Sequence, residues 1–225
     1  ASDDLLLRIA ELYRDDAQLQ PLWDSALGAR AMAGAAHGRG EPMRGDQARG
    51  PQDAATLGRL AATFLDAPQG ARIAMIETGG WDTHSAQAPR LSAQLRALDT
   101  LLAALRDGLG ARWRDTTVLV ATEFGRSAAA NGTGGTDHGT GAVAMLLGGA
   151  VQGGRVIADW PGLETGQLYE KRDLRATTSI DALIAGAAGE CFGIDPGQVA
   201  RTLFPQGGRL PGGAVARPLP RLLRA

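Results

Sequence analysis

Disulfide chemistry is closed to this chain: one of its 225 residues is cysteine, Cys191, and a lone thiol cannot bridge internally. It sits in AGAAGECFGI, where a buried small hydrophobe is the expectation over a reactive thiol. An excess of either charge is missing too. Lys plus Arg number 23 against 24 Asp plus Glu, so no basic surplus points to nucleic acid as a partner. No apolar run reaches the roughly 18 residues that a membrane-spanning helix needs. The chain has no initiator methionine and no basic-then-apolar leader, and opens on ASDDLLLRIAELY, an amphipathic helical pattern with acids in its first turn. A segment of a longer protein is expected. There is no P-loop, no G-x-S-x-G elbow and no cysteine pair for zinc. GTGAVA, from Gly139, fits a loose dinucleotide pattern but precedes a strand-like run instead of following one.

Glycine is abundant, with 32 residues gathered in loops between apolar runs, as in α/β proteins whose turns need positive φ or close backbone approach. At helical spacing fall Leu5, Leu6, Ile9, Leu12 and Tyr13, and Pro21 starts a second helical piece carrying Leu22, Trp23 and Leu27. Residues 34–52 lack periodicity and read as a mobile insertion, followed by a short helix over Asp53 to Leu65. The runs IAMI and TVLVAT are continuously apolar, as strands buried on both faces are. Between them Leu91, Leu95, Leu98, Leu102, Leu105 and Leu109 step by four and three, which predicts a helix packed on a sheet. Strand, helix and strand make a right-handed parallel βαβ unit, and AVAMLLGGAV supplies a third strand. Helices are expected near Ser179 to Ala188 and Pro196 to Leu203. The tail, 206–225, carries Pro and Gly that argue against regular structure.

On this frame five side chains of metal-ligand type gather at one edge. Asp82 and His84, in GGWDTH, follow the first expected strand, Glu123 ends the second, and Asp137 and His138 precede the third. Ligands bind outside the carboxyl ends of strands in an open parallel sheet. Residues i and i+2 of an extended segment face the same side, so Asp82 and His84 can hold one ion together. Each residue has a plainer role. Asp82 can cap the next helix, His84 can be a hydrogen-bonded loop residue, Glu123 can pair with Arg126, and Trp81 can be packing. His37 lies in the insertion, where a surface role is expected. The coincidence of Asp82, His84, Glu123 and His138 favours the joint reading.

The blocks GGWDTHSAQ, TTVLVATEFGRSAAANGTGGTDHGTGAVAMLLGGAVQGGRV and TLFP, over about Ala54 to Pro205, resemble the bacterial family called domain of unknown function 1501. Its members resemble the alkaline phosphatase and sulfatase superfamily in fold. That resemblance implies an α/β domain over 1–205, a mostly parallel sheet flanked by helices on both faces, incomplete at the amino-terminal side. It implies a divalent metal, zinc, manganese or iron, held by Asp82, His84, Glu123 and His138, with Asp137 as a ligand or as the orienter of an imidazole. Phe124 stands where a histidine is usual. The nucleophile and a glycine-rich acid belong to an amino-terminal half outside this chain, and a twin-arginine signal there implies a periplasmic or exported protein. The function expected is metal-dependent hydrolysis of phosphate or sulfate esters, with Arg126 binding an ester oxygen of a small anionic substrate. The alternative is a non-catalytic exported binding or assembly protein that keeps the fold. A segment lacking its first strands is expected to expose a sheet edge and to self-associate.

Overall fold

A computed structural model describes residues 3–14, 51–68, 70–207 and 217–224, with scattered positions between 16 and 27. His37, residues 34–50 of the expected insertion, and residues 208–216 of the tail lie outside the described residues. The chain divides into two compact units, Ala1–Asp46 and Gln47–Ala225. The first holds α1 (Asp3–Tyr13), the helix its opening pattern predicts, and an edge-on contact of Tyr13 with Trp23 at 6.0 Å between ring centroids.

The second unit begins with α2 (Pro51–Asp66) and α3 (Gln87–Leu109), which pack closely because small residues face the contact. Ala61 and Ala62 of α2 meet Leu105 and Leu109 of α3, and Leu65, Ile76, Trp113 and Val118 close over this cluster. A Cβ on Gly58 would run into the Leu101 carbonyl, so glycine there lets the helix backbones approach. The leucine stripe does form a helix, but only its carboxyl-terminal half is buried. Of the stripe, Leu105 and Leu109 are buried and Leu102 is half-buried, with Leu101, outside the stripe, buried beside it, whereas Leu95 is 48% exposed. No described helix is long and apolar enough to cross a membrane.

The sheet differs from expectation. Among the described residues there are two two-stranded sheets, both antiparallel. From α3 a 3-10 turn (Gly110–Asp115) leads into β1 (Val118–Val120), which pairs antiparallel with β4 (Met145–Leu147), Val118 opposite Leu147. The second sheet pairs β2 (Gly125–Arg126) with β3 (His138–Gly139). IAMI forms no strand: the segment has no regular structure, with Ile73 and Met75 73% and 92% exposed and Ile76 half-buried. A parallel crossover requires the strand before α3 to pair with β1, and that pairing is absent among the described residues. The mostly parallel, alkaline-phosphatase-like sheet flanked by helices on both faces is therefore corrected to helices carrying two short hairpin-like pairs. The error came from equating apolar continuity with burial on both faces.

Two helices end the unit. In α4 (Ile180–Phe192), Ser179 caps the start by accepting from the Asp181 N–H, and Gly193, at φ 65°, ends it in the left-handed conformation. In α5 (Pro196–Leu203), Asp195 accepts from the Gln198 N–H at 2.8 Å. Cys191 is exposed, not the buried small hydrophobe expected, because it lies on the outer side of α4. The end of the tail is docked without regular structure. Leu222 is 1% exposed, and Glu190 Oε2 accepts from the backbone N–H groups of Leu222 and Leu223 at 2.9 and 2.8 Å.

Candidate metal centre

The segment from Asp82 to His84 alternates as an extended chain must. Thr83 turns inward, 2% exposed, and donates to Gln87 Oε1 in the first turn of α3 at 3.1 Å. Thr136 donates to the same oxygen at 2.7 Å. With Thr83 pinned inside, Asp82 and His84 face outward together. The first residue of α3 thus fixes the phase of the motif. The start of α3 carries no side-chain cap at Ala86, so Asp82 is not its cap.

The pairing of β2 with β3 supplies the third group. Arg126 and His138 are directly opposed and both reach Asp82. Asp82 Oδ1 lies 2.9 Å from His138 Nε2, 3.0 Å from His84 Nε2 and 3.1 Å from Arg126 Nη2. One ligand atom from each of Asp82, His84 and His138 falls within 4.8 Å of the others. The other nitrogen of His84, Nδ1, is 3.1 Å from Asp137 Oδ1. Both ring nitrogens of His84 therefore face a carboxylate oxygen; with the proton on Nδ1, Nε2 would be free to bind an ion, the role that second partners of metal-bound imidazoles play. Hydrogen bonding to His138, with the charge of His84 and a hydrogen bond from Arg126, holds the Asp82 carboxyl below its ordinary range. Hydrogen bonds from Asn131 and then His84 do the same for Asp137.

Rings steady His138. His138 stacks on Phe124, centroids 4.1 Å apart and planes 11° apart, and lies 5.0 Å from His84. The Arg126 guanidinium sits 4.8 Å from the Phe124 ring centre. Position 124 therefore orients an imidazole by stacking. Arg172 hydrogen-bonds the buried Asp173 twice, which raises its basicity, and points Nη2 at the His138 carbonyl at 3.4 Å.

Of the residues singled out in the sequence, the fold brings together Asp82, His84 and His138, with Asp137 behind His84. Glu123 is exposed and lies outside the cluster of ligand atoms. Arg126 pairs with Asp82 instead of Glu123 and also donates to the carbonyls of Thr136 and Trp81 at 2.8 and 2.6 Å. Its fork braces three segments of the site. Trp81 is half-buried and donates to Thr78 Oγ1 at 2.9 Å. Gln87 and Asn131 carry much of the local order and were missed. The visible signals were a glutamine two residues beyond the GGWDTH-S stretch, and an asparagine opening the glycine-rich loop.

Residues 10–204 match the model of the family described as protein of unknown function (DUF1501). No curated protein and no solved structure matches the chain.

Proposed function

The chain belongs to the DUF1501 family, and on that premise we propose that it carries the metal-binding part of a metal-dependent hydrolase of phosphate or sulfate esters. The observation behind this reading is the convergence of Asp82 Oδ1, His84 Nε2 and His138 Nε2, with His84 Nδ1 anchored on Asp137. A carboxylate with two imidazoles suits zinc, manganese or iron(II). All three side chains remain about half exposed, at 53%, 48% and 52%. A purely structural site is usually closed by four protein ligands, whereas an open one leaves room for substrate. A divalent ion held there would supply Lewis-acid polarisation of an ester oxygen.

The chain's own residues have definable tasks. Asp82 and the two imidazoles bind the ion, Asp137 keeps His84 in the binding tautomer, and Phe124 and Arg126 hold His138 and Asp82 in place. With an ion of charge two, the opposite charges of Asp82, Asp137 and Arg126 leave the centre net positive, which favours an anionic ester. Because the three ligands leave coordination positions open, this proposal has the chain act as the carboxyl-terminal half of a site that other residues complete, the nucleophile among them. It extends to self-association through the exposed Arg72–Glu77 segment.

Metal content after equilibration with Zn²⁺ or Mn²⁺ tests the reading. His84→Ala and Asp82→Asn are each expected to remove the ion or lower its affinity at least tenfold, and Trp81→Phe to retain it. Unchanged metal content in both ligand variants overturns the metal site. Hydrolysis of p-nitrophenyl phosphate or sulfate by the metal-loaded protein, lost in His84→Ala, supports the reaction class. Metal uptake with no ester turnover removes the hydrolase and leaves the metal centre.

A further inference from the structure

Asn131 lies at the centre of the loop between β2 and β3, and its side chain reaches four residues. Its Oδ1 accepts from the Thr133 N–H and the Gly135 N–H, each at 3.0 Å, and lies 2.8 Å from the Thr133 hydroxyl, whose single proton it shares with the His84 carbonyl. Its Nδ2 donates to the His84 carbonyl at 2.9 Å and to Asp137 Oδ1 at 3.1 Å. The orientation of this amide follows from chemistry. Backbone N–H groups can only donate, while a carbonyl and a carboxylate can only accept. Turning the amide over would set donor against donor on one side and acceptor against acceptor on the other. The loop is closed further by Asn131 N–H to the Gly135 carbonyl at 2.8 Å, and by the Thr133 hydroxyl to the His84 carbonyl at 2.7 Å.

The two Nδ2 contacts meet at one ligand. One grips the main chain of His84, and the other grips the carboxylate that fixes the same residue's imidazole through Nδ1. One amide, 47 residues away in the chain, thus touches both the main chain of His84 and the carboxylate that holds its ring. Ser127 confirms the address of the carboxylate from the other side, since its N–H donates to the Asp137 carbonyl at 2.9 Å and its hydroxyl accepts from the Asp137 N–H at 3.2 Å.

We propose that Asn131 is the positioning residue of the metal centre: it couples Asp137 to the main chain of His84 and so sets the aim of the His84 Nε2 lone pair. This inference rests on the metal reading above. Asn131 holds no ion itself and acts only through Asp137 and His84. Its donor half makes the coupling, and its acceptor half shapes the loop. Asn131→Asp separates the two, because it keeps an acceptor for Thr133 and Gly135 but opposes the Asp137 carboxylate with a second one.

The test is a double-mutant cycle read by calorimetric Zn²⁺ binding to the chain, with thermal melting of the metal-free chain alongside. Asn131→Asp and Asp137→Asn are each expected to weaken Zn²⁺ binding about tenfold or more. The double variant is expected to bind far more tightly than the product of the two losses, because both act through one contact. Thr133→Val, which removes the hydroxyl shared by the His84 carbonyl and Asn131 Oδ1 but leaves both Nδ2 contacts of Asn131, is expected to stay within about threefold. Losses that multiply, or an Asn131→Asp variant within twofold of the parent, overturn the inference while leaving the metal centre standing. A parent chain that takes up no Zn²⁺ overturns both. If Asn131→Asp does not fold, Asn131→Ala runs the same cycle, since it deletes the donor without adding charge.

Discussion

Asp82 shows how much a single carboxylate oxygen can organise. It receives the Nε2 atoms of two imidazoles and one arginine nitrogen, and its pKa lies below the ordinary 3.8, chiefly through the His138 hydrogen bond. Asp137 is lowered from the same value, chiefly through Asn131. A carboxyl whose folded pKa is depressed contributes stability that is fully present above its unfolded pKa and is lost as pH falls through the folded one. The melting-temperature difference between the metal-free parent and Asp137→Asn is therefore expected to hold above pH 3.8 and to shrink below it; a gap that widens in acid contradicts this. Metal uptake has its own requirement at the imidazoles, which must be unprotonated to bind, so Zn²⁺ affinity should fall with acid. Gly135 is the other residue on which the site turns. A Cβ there would overlap the main chain of His84, whereas one at Gly132 would meet nothing within 4 Å. Gly135→Ala is expected to lower Zn²⁺ affinity about tenfold and Gly132→Ala to leave it unchanged, as measured by calorimetry.

At the scale of elements, the second unit is held by close helix contact and by a docked tail. α2 and α3 meet through Gly58, Ala61 and Ala62, so any side chain at Gly58 must push the helices apart. The segment 217–224 has no ladder of its own, yet Leu222 is the largest fully buried side chain among the described residues. Its backbone is received by Glu190 of α4. Leu222→Ala is expected to destabilise the unit by about 2–5 kcal/mol, the usual range for a leucine truncated in a packed core. Urea unfolding of the parent and variant reads that loss, and a change under 0.5 kcal/mol, on the order expected for surface positions, would show the tail to be energetically idle.

For the molecule as a whole, the run Arg72–Glu77 is the unusual surface. Ile73 and Met75 are 73% and 92% exposed, and none of these residues enters a ladder among the described residues. An exposed apolar segment with free backbone groups is a template for strand addition. Sedimentation of the chain is expected to show concentration-dependent association that Met75→Lys weakens at least tenfold. A single species of monomeric mass across a hundredfold range of concentration would contradict it.

Several features were legible in the sequence because they depend on neighbours along the chain. Helical spacing located α1, α2, α3, α4 and α5, and the bounds of α5 fell where Pro196 and Leu203 suggested. Alternation within GGWDTH put Asp82 and His84 on one side, and the order of the EFGR and GTDHG blocks marked His138 as their companion. The tertiary structure decided what depends on distant partners. Apolar runs such as IAMI and VLVA state that a segment avoids water, but not which segment it pairs with or in which direction, so the parallel sheet was read where antiparallel pairs formed. The same limit applied at the site. Glu123 and His138 were equal candidates by residue type, and only the β2–β3 register, which sets His138 opposite Arg126 and within reach of Asp82, separated them. Cys191 and the tail show the converse: the local sequence pointed to a buried thiol and to an irregular tail, and packing exposed Cys191 and buried Leu222.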